Sequence, residues 1–467
     1  MKSRLCASVS LWFISIANTD DPALWMRGLQ TGNAEGSIPP AADKVYSPPM
    51  AMSMRMSTVF GGMGQALSHP SYRLFWIGQT MATTGRWMQR LAVGWLAWEL
   101  TESTAWLGVV AFLDTVPLMV ITPIAGAVAD RIGYFRVMRM SVLGSACITA
   151  IYAALVLSGS ITIEWVLALT LGCGCIESVT YPARMSAVNS LVPKQDLSSA
   201  IALGSTTFNG ARIVGPAIAG PLILVIGIGG VLAVSAATYF LLVAVLFALH
   251  VKEVRGARGS ALEVLGDIKD AVHYVVKDPG IWFLMIILGA TGLFIRPYIE
   301  LLPGFAALAF HRGPDGLALI LSMIGVGAMI GSLWLAWRGR TEGLTAFVTL
   351  TIAVMGATQL VFTMVDSIWI AGVFMAISGF CMNGGSSASQ TLIQSTVEHR
   401  MRARVLSLFV VISWGVPAFG AVAMGWIAEL VGLRETLAAG GGVSLLLWLW
   451  ARGRTKAVAR ELEAAQT

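Results

Sequence analysis

Charged side chains stand where the surrounding chain is almost wholly apolar: Arg86, Arg90, Asp114, Glu177, Arg212, Arg296 and Glu300. Each would cost about 2.5–3.5 kcal/mol at the middle of a bilayer, so each must face a cavity or a partner. A carboxylate is the natural carrier of a proton in such a place, which makes Asp114, Glu177 and Glu300 the candidates for proton coupling. Glu300 follows Arg296 by four residues, the spacing at which one helix face would pair and neutralise the two. Asp114 and Glu177 have no such neighbour; Arg86 or Arg212 would have to reach them from another helix. Gln79, Trp87, Gln89, Asn209 and Asn383 add polar or aromatic groups to the same stretches, although packing is the plainer role of Trp87. With Arg86, Arg212 and Arg296 they form the candidate lining of a substrate cavity. Charge thins out after Glu300, so one wall would be charged and the other apolar, which suits amphiphilic organic molecules.

The elements that must hold these residues are apolar runs of about twenty residues. A helix needs about that many to cross ~30 Å of hydrocarbon. Hydrophobic residues make up 56% of the chain, and mean hydropathy is +0.75, beyond what a soluble domain tolerates. Reading the runs against their breakers places crossings at 74–98, 104–129, 138–158, 163–188, 198–226 and 230–250. Six more fall at 280–305, 315–337, 343–365, 368–393, 404–429 and 435–451. The expected fold class is an all-α membrane protein, with twelve transmembrane helices in two pseudo-symmetric six-helix bundles.

Lys and Arg gather in every second connector and in the tail, nineteen of them against Arg312 and Arg434 in the others. That bias puts both termini in the cytoplasm of a multi-pass protein of the cell (cytoplasmic, or inner) membrane. The net charge of +6 is then explained by basic loops facing anionic lipid. No basic run interleaves with stacking aromatics, so no nucleic-acid partner is implied. The cysteines lie away from the external connectors, and the Cys173/Cys175 pair has too few ligands nearby for a metal site. No metal is implied.

Residues 1–68 carry Pro, Gly, Ser and Met without helical periodicity and are expected to be disordered or to precede the true start. Residues 69–250 and 279–452 form the two bundles, 251–278 a cytoplasmic linker, and 453–467 a cytoplasmic tail. In the linker, Ser260 and Glu263 read as a capping box. Leu262, Leu265, Ile268, Val272 and Val275 come next at helical spacing, as in a helix lying on the membrane surface. The two bundles echo one another at an offset of 205 residues: Val192 onto Val397, Gly215 onto Gly420, Gly220 onto Gly425. His69-Pro70 and Asp278-Pro279 open the two bundles alike. A duplicated pair of bundles implies a carrier with its site between them, open alternately to each side.

Gly126-Ala-Val-Ala-Asp130-Arg131-Ile-Gly133-Tyr-Phe-Arg136 succeeds the second run. It resembles the G-x-x-x-D-R-x-G loop of the major facilitator superfamily. Asn209-Gly210-Ala-Arg212-Ile-Val-Gly215-Pro216-Ala-Ile-Ala-Gly220 is similar to the glycine-proline motif of the superfamily's antiporters. Tyr72-Arg-Leu-Phe-Trp-Ile-Gly78-Gln79, with Gly85-Arg86-Trp87-Met-Gln89-Arg90, resembles a narrower group that includes the enterobactin exporter and macrolide efflux carriers. The resemblance covers residues 69–455. Two departures stand out: the basic residue after Gly133 is delayed to Arg136, and the matching loop at Gly331–Arg340 has no aspartate. Gating would therefore rest mainly on the first bundle. Asp130 could pair with Arg400, Arg402 or Arg404 and clasp the cytoplasmic side shut. Gly210, Gly215, Pro216 and Gly220 would pack the fifth run closely on a neighbour.

No G-x-x-x-x-G-K-[ST] loop and no H-E-x-x-H stretch is present, which argues against an ATP-driven pump and an intramembrane metalloenzyme. The residues and the resemblance together imply a non-enzymatic secondary transporter without a cofactor. Its partners would be a small-molecule substrate, protons and the lipid bilayer, and it would act as a monomer. Proton-driven efflux of small amphiphilic molecules, of the drug or siderophore class, is the reading the resemblance favours. A proton-symport importer and a transport-inactive sensor or scaffold are the alternatives.

Overall fold

The computed structural model describes residues 64–249 and 261–463, and not the side chains of Pro123, Ile124, Ala127, Val128, Asp130, Arg131 or residues 261–268. The expectations for residues 1–63, for Ser260 with Glu263 and for the Asp130 carboxylate therefore lie outside the described residues.

Among the described residues every element is helical. After a turn at Gly64–Leu67 come α1 (Pro70–Thr101), α2 (Thr104–Ile132), α3 (Tyr134–Leu157), α4 (Ile163–Leu191) and α5 (Leu197–Ala248). The next five are α6 (Ala261–Lys277), α7 (Pro279–Phe294), α8 (Tyr298–Leu308), α9 (Pro314–Arg338) and α10 (Leu344–Met364). The chain closes with α11 (Ile368–Thr396), α12 (His399–Val431), α13 (Leu433–Arg452) and α14 (Thr455–Glu463). Among the described residues, nine helices are long and apolar enough to cross a membrane. The protein is thus an all-α, multi-spanning membrane protein.

Packing repeats along the chain. α2 lies on α4 as α9 lies on α11; α3 lies on α5 as α10 lies on α13; α1 lies on α5 as α7 lies on α12. The interior this builds is lined by small and aromatic side chains, with Tyr152, Tyr298, Phe305 and Phe362 almost wholly buried. Large apolar residues such as Val225, Leu430 and Trp337 point outward, the arrangement expected of a surface in contact with lipid rather than water.

Two of the apolar runs are interrupted. At 1.5 Å per residue, α5 would be about 78 Å long if straight, far more than a bilayer. Gly227 breaks it with φ 73 and ψ 172, a conformation that only glycine adopts without strain. The fifth and sixth runs are the two arms on either side. The second break corrects the reading of 280–305 as one helix. Pro297 has no N–H to donate, and the amides of Ile295 and Arg296 both turn back to the Thr291 carbonyl. The helix ends at Phe294 and restarts at Tyr298.

Charges at or beyond the ends of the apolar runs have structural work, among them Arg139, which sequence reading treats as a topology marker. Arg139 donates to the carbonyls of Leu246 and Leu249 at 2.9 and 3.0 Å, closing the C-terminal end of α5. The Asp278 carboxylate accepts from the Ile281 amide at 2.9 Å and caps α7. Residues 455–463 form a helix whose Leu462 is fully buried. Its Glu463 accepts from the amides of Gly343 and Thr345 at the start of α10.

Candidate functional site

The charged residues of the apolar runs meet in one place. Arg86 and Arg90 stand one turn apart on α1. Asp114 on α2 receives Arg86 at 3.2 Å and Arg90 at 3.4 Å. Arg86 also lies 3.8 Å from Glu177 on α4, which Arg184 approaches at 3.4 Å. Arg90 completes the chain by pairing with Glu300 on α8 at 2.5 Å. Three carboxylates from three helices are thus joined through two arginines of a fourth.

Around this network Arg86, Gln89, Arg90, Asp114, Cys173 and Glu300 line a cavity of about 60 Å³. A water needs about 10–15 Å³, so in this conformation the cavity has room for only a few waters. Gln89 is fixed at its edge, donating to the Cys173 sulfur at 3.5 Å and accepting from Thr149 at 3.2 Å. A second cavity, about 30 Å³, lies among α7, α10 and α11 and is lined by Thr291, Arg296, Thr351, Cys381, Ser386 and Ser389.

The expectation that Arg296 neutralises Glu300 is overturned. The break at residues 295–297 takes the two off a common helix face, and Glu300 is held by Arg90, 210 positions away in the chain. Arg296 instead donates to the Ser413 carbonyl on α12 at 2.8 Å. Arg212 lies 5.7 Å from the centre of the Trp87 ring, and Arg90 lies 5.8 Å from the same ring. Trp87 is therefore a platform for two guanidinium groups as well as a packing residue.

The remaining candidates divide. Gln79 donates to Thr83 and Asn209 to the Ser205 carbonyl, each within its own helix. Asn383 ties α11 to the Ala328 carbonyl and Ser332 hydroxyl of α9. A Cβ on Gly215 would meet Trp87 at 2.5 Å, and one on Gly220 would strike Ala318, whereas Gly210 has nothing within 4 Å. Close approach is thus confined to the second and third of these glycines, the former against α1 and the latter against α9. In the loop after α2, Gly133 takes φ 106 and links α2 directly to α3. Arg404 pairs with Asp270 of α6 at 2.9 Å, the Nε of Arg402 is buried without a hydrogen bond, and Arg400 is exposed.

Sequence reading missed one contact altogether. Glu429 near the end of α12 accepts from the hydroxyls of Ser103 and Thr104, both at 3.0 Å, and from the Ala105 amide at 3.1 Å. Its carboxylate caps the first turn of α2 from another helix. The Thr104 hydroxyl shares its one proton between Glu429 and the Gly425 carbonyl, 2.9 Å away. From there α2 and α12 stay close through Gly108 against Ala421, the edge-on Phe112 and Phe419 rings, and Met119 against Gly415. On the other flank α5 meets α9, with Ser322 donating to the Ile213 carbonyl at 3.1 Å. The signal for Glu429 was local: Ser103-Thr104 has the composition of a helix cap but finds no acid on its own helix.

The all-helical, multi-spanning fold with repeated packing and an ion-paired cluster shared among four helices is that of a transporter of the major facilitator kind. The chain belongs to the transmembrane secretion effector family, which it matches over residues 63–466. It is 24% identical over 369 residues to the staphyloferrin A transporter of Staphylococcus aureus, covering 78% of this chain and 91% of that one. It is 26% identical over 369 residues to the multidrug efflux pump Tap of Mycolicibacterium fortuitum, covering 77% and 89%. The fold is similar to that of the nucleoside transporter NupG, with a TM-score of 0.65 at 14% identity over 82% of this chain and 98% of that one. These kinships are distant and spread over several efflux and siderophore-transport families. They make the chain a non-enzymatic membrane transporter.

Proposed function

We propose that this protein exports small amphiphilic molecules across the cell membrane by alternating access, in exchange for protons, and acts as a monomer. One observation carries the reading: Arg90 holds Asp114 of α2 and Glu300 of α8 at once. A proton arriving on Glu300 removes its charge and loosens the link between α1–α5 and α7–α13, whereas one arriving on Asp114 loosens the α1–α2 pair that orients Arg90. Asp114 and Glu177 are the residues we assign to proton coupling, with Glu300 as the acceptor across the divide. A proton moving down 100 mV releases about 2.3 kcal/mol, enough to bias the cycle about fiftyfold. Export rather than import is favoured by relatives that are themselves efflux pumps. The narrower likeness to enterobactin and macrolide exporters belongs to this proposal as well.

Twelve crossings result if α1, α13 and the two arms of α5 are added to the other apolar helices, α7 and α8 counting as one. The charge bias then puts both termini in the cytoplasm. The contacts through Glu429, Gly108 and Ser322 lie at and below the external end, so this conformation is closed to the outside. In the opposite state Asp130 would clasp Arg400, Arg402 or Arg404 and close the inside, with Gly126, Arg131, Gly133 and Arg136 shaping the loop. The test is uptake into everted membrane vesicles of a panel of fluorescent amphiphiles under an imposed pH gradient. Gradient-dependent accumulation of at least one compound, absent from vesicles lacking the protein, is expected. Uptake indifferent to the gradient would remove proton exchange from the account, and uptake only into right-side-out vesicles would reverse its direction.

A further inference from the structure

Among the described residues, five arginines stand along the membrane-embedded helices around the cluster, against three carboxylates. Arg86, Arg90 and Arg184 each have a carboxylate within 4.0 Å. Arg212 and Arg296 have none there: Arg212 lies over Trp87, and Arg296 reaches only a backbone carbonyl, its Nε buried and without a hydrogen bond. Both border the ion-paired cluster: Arg212 shares the Trp87 ring with Arg90, and Arg296 comes four residues before Glu300, which Arg90 holds. They come from opposite sides of the divide, one on α5 and the other in the break between α7 and α8. Interrupted helices at such a divide are where carriers place their binding sites. A guanidinium in apolar surroundings with no carboxylate beside it costs about 2.5–3.5 kcal/mol. The planar fork of arginine, meanwhile, matches a carboxylate, sulfonate or phosphate group.

We propose that Arg212 and Arg296 form an anion subsite for the transported molecule, with Trp87 as the adjoining apolar platform. The cargo is then an amphiphile that carries an acidic group beside an aromatic or aliphatic body. The inference rests on the transport reading, because it concerns what the divide between α1–α5 and α7–α13 admits when it opens. It also gives the carboxylate network a second purpose: Asp114, Glu177 and Glu300 keep Arg86 and Arg90 occupied, so the anion is directed to the two arginines left over.

Purified protein in phosphatidylcholine nanodiscs would be titrated with three fluorophores of one scaffold: dansylglycine (anionic), dansylamide (neutral) and dansyl-ethylenediamine (cationic). Dansylglycine should bind at least tenfold more tightly than the other two. Arg212→Gln and Arg296→Gln should each cost tenfold or more for dansylglycine alone. Arg212→Glu should raise affinity for the cationic probe. Thermal unfolding of each variant separates lost binding from lost fold, and Arg212→Lys serves as a milder second variant if Arg212→Gln does not fold. Equal affinity for all three probes, or no binding of dansylglycine, would overturn the subsite. If phosphatidylglycerol nanodiscs abolish dansylglycine binding, the anion is a lipid headgroup and the cargo assignment is overturned. Gradient-driven flux without charge preference would leave the transport reading standing and remove only the subsite. Dansylglycine binding without any flux would do the reverse.

Discussion

Glu429 offers the sharpest handle on how the two sides of this protein hold together. Its carboxylate takes three hydrogen bonds from the start of α2, and it lies on an exposed turn of α12. Removing a helix cap costs about 0.5–2 kcal/mol; solvent around Glu429 argues for the middle of that range, about 1 kcal/mol. That energy belongs only to the conformer in which α2 and α12 touch, so Glu429→Ala should shift the closed-to-open ratio about fivefold. A population about 90% closed would fall to about 65% closed. Spin labels at Leu100→Cys and Leu430→Cys, both exposed positions at the same end of the molecule, would report the change as growth of a longer distance in a pulsed-dipolar measurement. Glu429→Gln, which keeps an oxygen acceptor but loses the charge, should fall between wild type and Glu429→Ala. If neither variant moves the distribution by more than twofold, the carboxylate is a bystander and the closure rests on apolar packing alone.

Four further outcomes concern other positions. Asp130→Asn should shift the balance the opposite way from Glu429→Ala, favouring the conformer closed to the outside, as judged by the same label pair. Gly220→Val should cut transport tenfold or more, because its side chain would strike Ala318 and the Pro314 carbonyl on α9. Gly210→Val, with open space around it, should transport like wild type. Asp270→Asn breaks an exposed pair with Arg404 and should lower stability by less than about 1 kcal/mol in denaturant or thermal unfolding.

Much of the helix inventory can be read from apolar run lengths alone. The runs at 315–337, 343–365 and 368–393 match α9, α10 and α11 to within a few residues, since lipid solvent fixes both length and composition. The amphipathic spacing after Ser260 likewise corresponds to α6. What sequence did not reveal depended on distance in three dimensions. Glu300 has an arginine four positions before it, and local spacing points there, yet Pro297 turns the helix and brings Arg90 instead. The presence of a proline was visible, but the direction in which it aimed Arg296 was not. Trp87 looked like packing because a guanidinium from another helix leaves no mark on its neighbours in sequence. Glu429 escaped notice for the same reason: an acid at a helix end is ordinarily a solvated residue, and its three donors lie more than 300 positions away. Seven charged residues in apolar runs could be recognised as a group from cost alone. Their wiring could not.

The central claim is that protonation of the Asp114–Glu177 cluster drives the conformational cycle. In proteoliposomes, pH-gradient-driven flux and substrate counterflow of one compound can be compared directly for wild type, Asp114→Asn and Glu177→Gln. The account expects gradient-driven flux to fall at least tenfold in one or both variants, with counterflow within about threefold of wild type. Gradient-driven flux at the wild-type level in both variants would contradict it.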